Sequence, residues 1–290
     1  MNTGMFLVMA LMLIGLDMPK NTADGDPFPK YIAASHKRSY ITLTEGFGNL
    51  NPLYFEAHLA PTYLIHLKEE YKWAIELSPQ MVIRMQREPS FPIRTPSYMP
   101  RITYYHNFHK GKSLSNQLIP YASLAHHSNG QNGDFYDENG SINIQDGNFA
   151  TNYLEVGVFA TQLIRDNYIK NGNFLKAYAA YHFAKEPNLI GKYGDFRINL
   201  EYQFIHQLNQ KQRLRQSIHA GWIFGGMNDL SPVNFKERFT FQYTISYHPR
   251  MAEDMSVFVQ YYYGQDYYNI YFNNNISVLR FGLMTDVLEF

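Results

Sequence analysis

His126 and Ser128 stand two residues apart, and Asn152 follows further along the chain. A hydroxyl that attacks, an imidazole that takes its proton, and an amide that holds the ring in one tautomer are the side chains nucleophilic acyl transfer needs. A neutral orienter positions the ring without the charge stabilisation of a carboxylate. Spacing alone favours a polar pair that meets only water and headgroups at a rim. The three residues can cooperate only if secondary structure brings them to one face.

From Tyr40 onward, segments rich in Tyr, Phe, Val, Ile and Thr alternate with Gly, Asn, Asp and Pro clusters, as strands and turns do. Twelve strands are expected, at 40–45, 54–67, 71–86, 98–108, 116–128, 149–165, 173–185, 195–206, 213–224, 238–248, 255–263 and 276–288. The connectors alternate between short ones, such as Leu67 to Glu70 and Asp166 to Gly172, and longer ones, such as Arg87 to Ser97 and Asn129 to Asn148. An even strand count with this asymmetry predicts an all-β fold, a twelve-stranded antiparallel transmembrane β-barrel with tight turns at one end and long loops at the other.

Alternate residues of a barrel strand face opposite sides. In one strand Leu118, Pro120, Ala122, Leu124, His126 and Ser128 share a parity that is apolar until its last two members. In the next, Asn152 heads the apolar row Leu154, Val156, Val158 and Ala160. His126, Ser128 and Asn152 are thus expected side by side on the lipid-facing surface at the long-loop end, with His127 pointing into the lumen. Pro120 counts against its strand, because it lacks a ladder donor.

The chain has 290 residues, 25 basic against 25 acidic, and no cysteine. The neutral balance argues against nucleic acid, which demands a clustered basic excess; Lys37-Arg38 and Lys211-Arg213-Arg215 are too small for one. Absent cysteine excludes a disulfide scaffold, a thiolate nucleophile and a Cys-ligated zinc site. A mean hydropathy of -0.36 removes the helical membrane bundle, whereas barrel strands that are polar on one face are compatible with it. Met5 to Leu16 resembles the apolar core of an export signal, although Met1 to Gly4 lacks the usual positive charge. The expected organisation is a signal or apolar segment at 1–19, a polar linker or plug at 20–39, and the barrel at 40–290.

The segment Ala125-His126-His127-Ser128-Asn129-Gly130, followed by Thr151-Asn152-Tyr153-Leu154, resembles the His-x-Ser-Asn-Gly and downstream Asn motif of the outer-membrane phospholipase A family. Ser90-Phe91-Pro92-Ile93-Arg94 with Tyr98 and Pro100, and the closing Phe281-Gly282-Leu283-Met284, are similar to two further segments of that family, in the same order. The resemblance implies calcium-dependent hydrolysis of glycerophospholipid acyl esters at either position in the bacterial outer membrane, with the site toward the outer leaflet and a homodimer as the active form. It implies Ser128 as nucleophile, His126 as base and then acid, Asn152 as orienter, and the Gly130 N–H in the oxyanion hole. Ser90 and the backbone carbonyl of Gln131 would hold Ca2+, a cation that takes hard oxygen ligands. The family carries Arg where this chain has Gln131, its loop is shorter, and its further calcium-ligating serine has no secure counterpart here. Asp134, Asp137, Glu138 and Asp146 offer carboxylates instead.

Two other readings compete. His106 and His109 with His126 and His127 suggest a metal hydrolase, but parity puts His106 and His109 on opposite faces. A non-catalytic structural or pore-forming barrel with a vestigial site is the stronger rival. The many Tyr, Gln and Glu of the lumen parity favour an occluded interior over a pore.

Overall fold

The computed structural model describes residues 28–66, 72–90, 92–108, 116–166, 168–208, 213–252 and 254–285. The expected 1–19 segment lies outside them, as do His109, Phe91 and the residues after Thr285. Strand segments follow as β1 (Tyr40–Thr42), β2 (Phe47–Gly48), β3 (Leu53–Leu59), β4 (Tyr63–Ile65), β5 (Trp73–Gln86), β6 (Ser97–His106) and β7 (Asn116–Ser128). Then come β8 (Ala150–Asp166), β9 (Tyr168–Lys185), β10 (Phe196–Gln207), β11 (Arg213–Phe224), β12 (Phe239–His248), β13 (Met255–Gln265) and β14 (Asn275–Thr285).

Both β1 and β2 pair with β14, and both β3 and β4 with β5, so fourteen segments make twelve antiparallel staves. Pairing of Tyr40 with Met284 and Thr42 with Gly282 closes the barrel. The first stave breaks at Thr44 and Gly46, whose φ angles are +83° and +82°, and the second breaks around Pro61, which has no ladder donor. The expected turn at Asp166 to Gly172 is mostly strand, since β8 runs to Asp166 and β9 resumes at Tyr168. Pro120 sits inside β7 opposite Val158 of β8, while the β6–β7 ladder ends at Tyr105–Tyr121 and asks no pairing of it.

Period-two alternation sorts the side chains. In β7, Ile119, Tyr121, Ser123, Ala125 and His127 are buried inward, whereas Leu118 and Leu124 are exposed outward. Among the described residues no helix is long and apolar enough to cross a membrane; the apolar outer surface belongs to strands.

The lumen is filled. A seven-residue helix, α1 (Phe28–Ala34), occupies part of the segment read as linker or plug. Its Phe28, Tyr31 and Ile32, at one-face helical spacing, pack against Tyr105, Ile119, Phe159 and Phe174 at the short-turn end. Gln203 of β10 donates to the Ala34 carbonyl at 2.9 Å, tying the helix end to the wall. At the long-loop end Phe135, Phe149, Leu189, Tyr193, Tyr268 and Phe272 form a second apolar cluster.

Between these clusters buried charges are paired. Arg84 donates to Glu56 at 2.8 Å and through both terminal nitrogens to Asp266 at 2.7 and 2.9 Å. Arg280 donates to Glu56 at 2.7 Å and to Gln260. The Tyr267 phenol, which burial pushes up to about 12, stays protonated and donates to Glu56 as well. A second group joins Arg101 to Glu155 at 3.0 Å, with Tyr121 donating to the same carboxylate at 2.8 Å. Paired, fully hydrogen-bonded ions are the form in which charge survives inside such an interior. A cavity of about 370 Å³ remains between the two groups.

Candidate active site

The β7–β8 register sets His126 directly opposite Asn152 and Ser128 opposite Ala150. The His126 Nδ1 and Asn152 Oδ1 atoms are 2.8 Å apart. The amide oxygen can only accept, so Nδ1 carries the proton and Nε2 is left with its lone pair free to accept one. Beyond Asn152 the β8–β9 ladder shifts, pairing Asn152 with Ala184 but Tyr153 with His182. Such a bulge bends the strand and re-aims nearby side chains.

Ser128 lies on the same outward face as His126, two residues along, and is paired with Tyr98 of β6. Among the described residues no hydrogen bond joins the Ser128 hydroxyl to the ring. Nucleophile–base contacts in unliganded hydrolases are often long and close only when substrate binds. Directly below, Leu124 and Leu154 are opposite one another and Leu154 is opposite Tyr181, all three exposed. An apolar strip therefore runs from the polar trio along the barrel wall.

The turn after Ser128 is built by Asn129, a motif residue with no role assigned from the sequence. Asn129 is almost fully buried; its Nδ2 donates to the Gly147 carbonyl at 2.8 Å, and its Oδ1 accepts from the N–H groups of Phe149 and Gln131. Held this way, the chain turns through Gly130 at φ +69°. A Cβ there would come within 3.3 Å of the Tyr98 ring. No described group accepts from the Gly130 N–H, which leaves that donor available beside Ser128.

Ser90 and Gln131 stand on the two long connectors at this same end, after β5 and after β7. Ser90 is exposed with φ +70°, and neither its hydroxyl nor the Gln131 carbonyl is used in a hydrogen bond among the described residues. Two uncommitted hard oxygens fit calcium, which completes its shell with further oxygens and water. Two of the four loop carboxylates are committed within the loop: Asp137 accepts from the Asn139 and Ser141 N–H groups at 2.9 Å, and Asp146 from Asn143 at 2.7 Å. Among the described residues no group of three or more His, Asp or Glu side chains is placed to hold a metal ion.

Outer membrane phospholipase A from Escherichia coli aligns with a TM-score of 0.56 at 15% identity, over 97% of this chain and 98% of that one. The fold is that of outer-membrane phospholipase A. The Salmonella typhi phospholipase, a dimer with bound calcium, aligns with a TM-score of 0.57 at 14% identity, over 87% of this chain and 91% of its own. An active-site mutant of the Escherichia coli protein, asparagine to alanine, gives 0.57 at 15% identity. No protein-family model matches the chain, and the comparison with curated proteins finds no match.

Within the phospholipase A fold, this chain's long loop between Ser128 and Asn152 is an ordered lid on the lumen. Gly133 bridges to Gly147 and Tyr136 to Ile142, and Phe135 and Phe149 join the apolar cluster at that end. His127, read as a lumen residue, is buried with its ring 4.8 Å from that of Phe149. It lies on the opposite face of β7 from His126, so the adjacent histidines do not combine.

Proposed function

We propose that this protein is a calcium-dependent outer-membrane phospholipase A, acting on acyl esters at the first or second position of glycerophospholipids. The contact between His126 and Asn152, formed on the outward face beside Ser128, carries the reading. In it, Ser128 Oγ attacks the ester carbonyl carbon while His126 Nε2 takes the hydroxyl proton. Asn152 holds the ring through Nδ1–H, and the Gly130 N–H donates to the oxygen that gains charge; one such fixed donor is worth about 3 kcal/mol in acyl transfer. His126 passes the proton to the departing alkoxide, which leaves as lysophospholipid with the acyl group bound to Ser128. Water then attacks the acyl-enzyme, giving its proton to His126, and the fatty acid departs as Oγ recovers a proton. Leu124, Leu154 and Tyr181 offer the acyl chain an apolar path along the wall.

Ser90 and Gln131 would hold Ca2+, which when bound supplies positive charge near the developing oxyanion. The calcium and the dimer in the Salmonella typhi structure support a calcium-dependent homodimer. Substrate enters from the outer leaflet of the bacterial outer membrane, with membrane lipids as the partners and no nucleic acid. The rival pore reading is opposed by the two apolar clusters and the paired ions that fill the lumen. The test is fatty-acid release from mixed phospholipid–detergent micelles, with calcium or with chelator, for wild type and Ser128→Ala. Activity surviving in Ser128→Ala would overturn the nucleophile, and activity indifferent to chelator would overturn the calcium requirement.

A further inference from the structure

The connector from β11 to β12 carries Val233, 80% exposed, and Phe235, 57% exposed. Apolar side chains on a loose loop can fold inward, away from water, but this loop is held open. Arg238, buried at its base, donates to four main-chain carbonyls: Ser231 at 2.7 Å, Leu230 at 2.8 Å, Ile223 at 3.0 Å and Gly225 at 3.1 Å. The one-turn helix α2 (Phe235–Arg238) is capped by Asn234 and fixed from β13 and β14, where Tyr263 and Asn275 both donate to the Lys236 carbonyl. The apolar pair is thus presented by a rigid support.

Its surroundings say what it meets. The Phe235 ring stacks on Phe239 at 4.4 Å and lies 5.9 Å from Trp222. Phe239 lies 6.4 Å from Phe241, and Phe241 in turn 6.4 Å from Tyr261. These belong to the outward parity of β11, β12 and β13, so the exposed pair prolongs the outer aromatic face past the end of the strands. Lys236, next to Phe235 in the chain, is exposed as well. Aromatic and apolar groups beside a cation are the composition of a membrane interface, where rings sit among headgroups and ammonium groups meet phosphates. A water-facing loop has no use for Val233 and Phe235 held outward.

We propose that the β11–β12 connector is a membrane-surface wedge, inserting Val233 and Phe235 at the headgroup–acyl boundary of the lipid leaflet around the long-loop end. Counted around the barrel it stands four staves from the β7–β8 pair, so it would brace one side of the barrel while leaving the lipid beside Ser128 free to move. The proposal rests on the barrel being embedded in a bilayer, but not on its being an enzyme.

The absence of cysteine makes the test direct. Val233→Cys, Val259→Cys on the outer face of β13, and Asn139→Cys in the exposed turn of another long loop are each spin-labelled in phosphatidylcholine vesicles containing phosphatidylglycerol. Power saturation then compares access to oxygen, which concentrates in lipid, with access to a water-soluble nickel chelate. The expected result is an oxygen-to-nickel ratio at 233 several-fold above that at 139, on the lipid side with 259. A ratio at 233 equal to that at 139, with 259 in lipid, overturns the wedge. A label at 259 open to nickel overturns the embedding and the wedge together. Strong dipolar broadening at 233 would put a second copy there in place of lipid, and also overturns it.

Discussion

His126 Nδ1 lies 2.8 Å from Asn152 Oδ1, directly across one antiparallel pair of strands. A contact fixed by strand register leaves the ring little freedom, so removing the amide frees both its tautomer and its orientation. Asn152→Ala is expected to lower kcat by about tenfold or more, the equivalent of about 1.4 kcal/mol, with KM little changed. Steady-state fatty-acid release measures this. A rise in KM with kcat intact would mean that Asn152 binds lipid instead of orienting the base.

Gly130 faces two constraints, a φ of +69° and the Tyr98 ring 3.3 Å from where a Cβ would sit. Gly130→Ala should reduce kcat more than tenfold by turning the N–H away, and lower stability by about 1 kcal/mol through backbone strain. Adding Tyr98→Ala relieves the steric contact but not the backbone strain. Activity recovered fully in the double variant would show that crowding, and not the aim of the N–H, was responsible.

The staves were legible because a two-residue period writes itself into a strand that faces lumen on one side. The polar trio was legible because parity and loop length together put it on one face. What escaped depends on contacts distant in sequence. Asn129 reads as part of a polar motif, and only the meeting of residues 129, 147 and 149 makes it the pin of the turn. Helix α1 is short, begins with Pro29 in its first turn and sits in a polar stretch, so its apolar face has meaning only against the lumen wall. Glu56, Arg84 and Arg280 fall within expected strands and Asp266 in a connector, and no spacing links them; closure of the barrel brings residues as far apart as 56 and 280 together.

Glu56 is central to the lumen charges, contacted by Arg84, Arg280, Tyr40 and Tyr267. Removing Arg84 strands Asp266 and half of Glu56 in a buried setting. Arg84→Met should therefore destabilise the barrel by about 3–5 kcal/mol, whereas Arg84→Met combined with Asp266→Leu recovers part of that loss. Urea unfolding in micelles, followed by Trp fluorescence, measures both. An Arg84→Met barrel as stable as wild type would mean water already serves these groups.

Asp195, in the connector after β9, is held below its ordinary range by the hydrogen bond from Lys185. A carboxylate whose folded value is depressed adds stability above its unfolded value, and that stability is lost as pH falls through the folded value. Between about pH 5 and about pH 3 the wild type should lose more stability than Asp195→Asn. The difference is small, because the carboxylate is 45% exposed and screened by solvent. Equal acid sensitivity in the two proteins, read as denaturation midpoints, would show that the pair does not couple to folding.

Tyr31 and Ile32 of α1 are buried among the lumen residues of the short-turn end. If this helix closes that end, wild-type protein in planar bilayers passes no steady current, despite the cavity of about 370 Å³ above it. Tyr31→Ala should destabilise the folded state by about 3–5 kcal/mol, as loss of a buried aromatic does. Tyr31→Asp places an unpaired charge against Phe159 and Phe174, which favours expulsion of the helix over its burial. The expected outcome is a folded barrel that now conducts ions. Steady conductance in the wild type would refute the filled lumen. A Tyr31→Asp barrel that stays folded and silent would place the closure at the Phe149–Tyr193–Phe272 cluster of the opposite end.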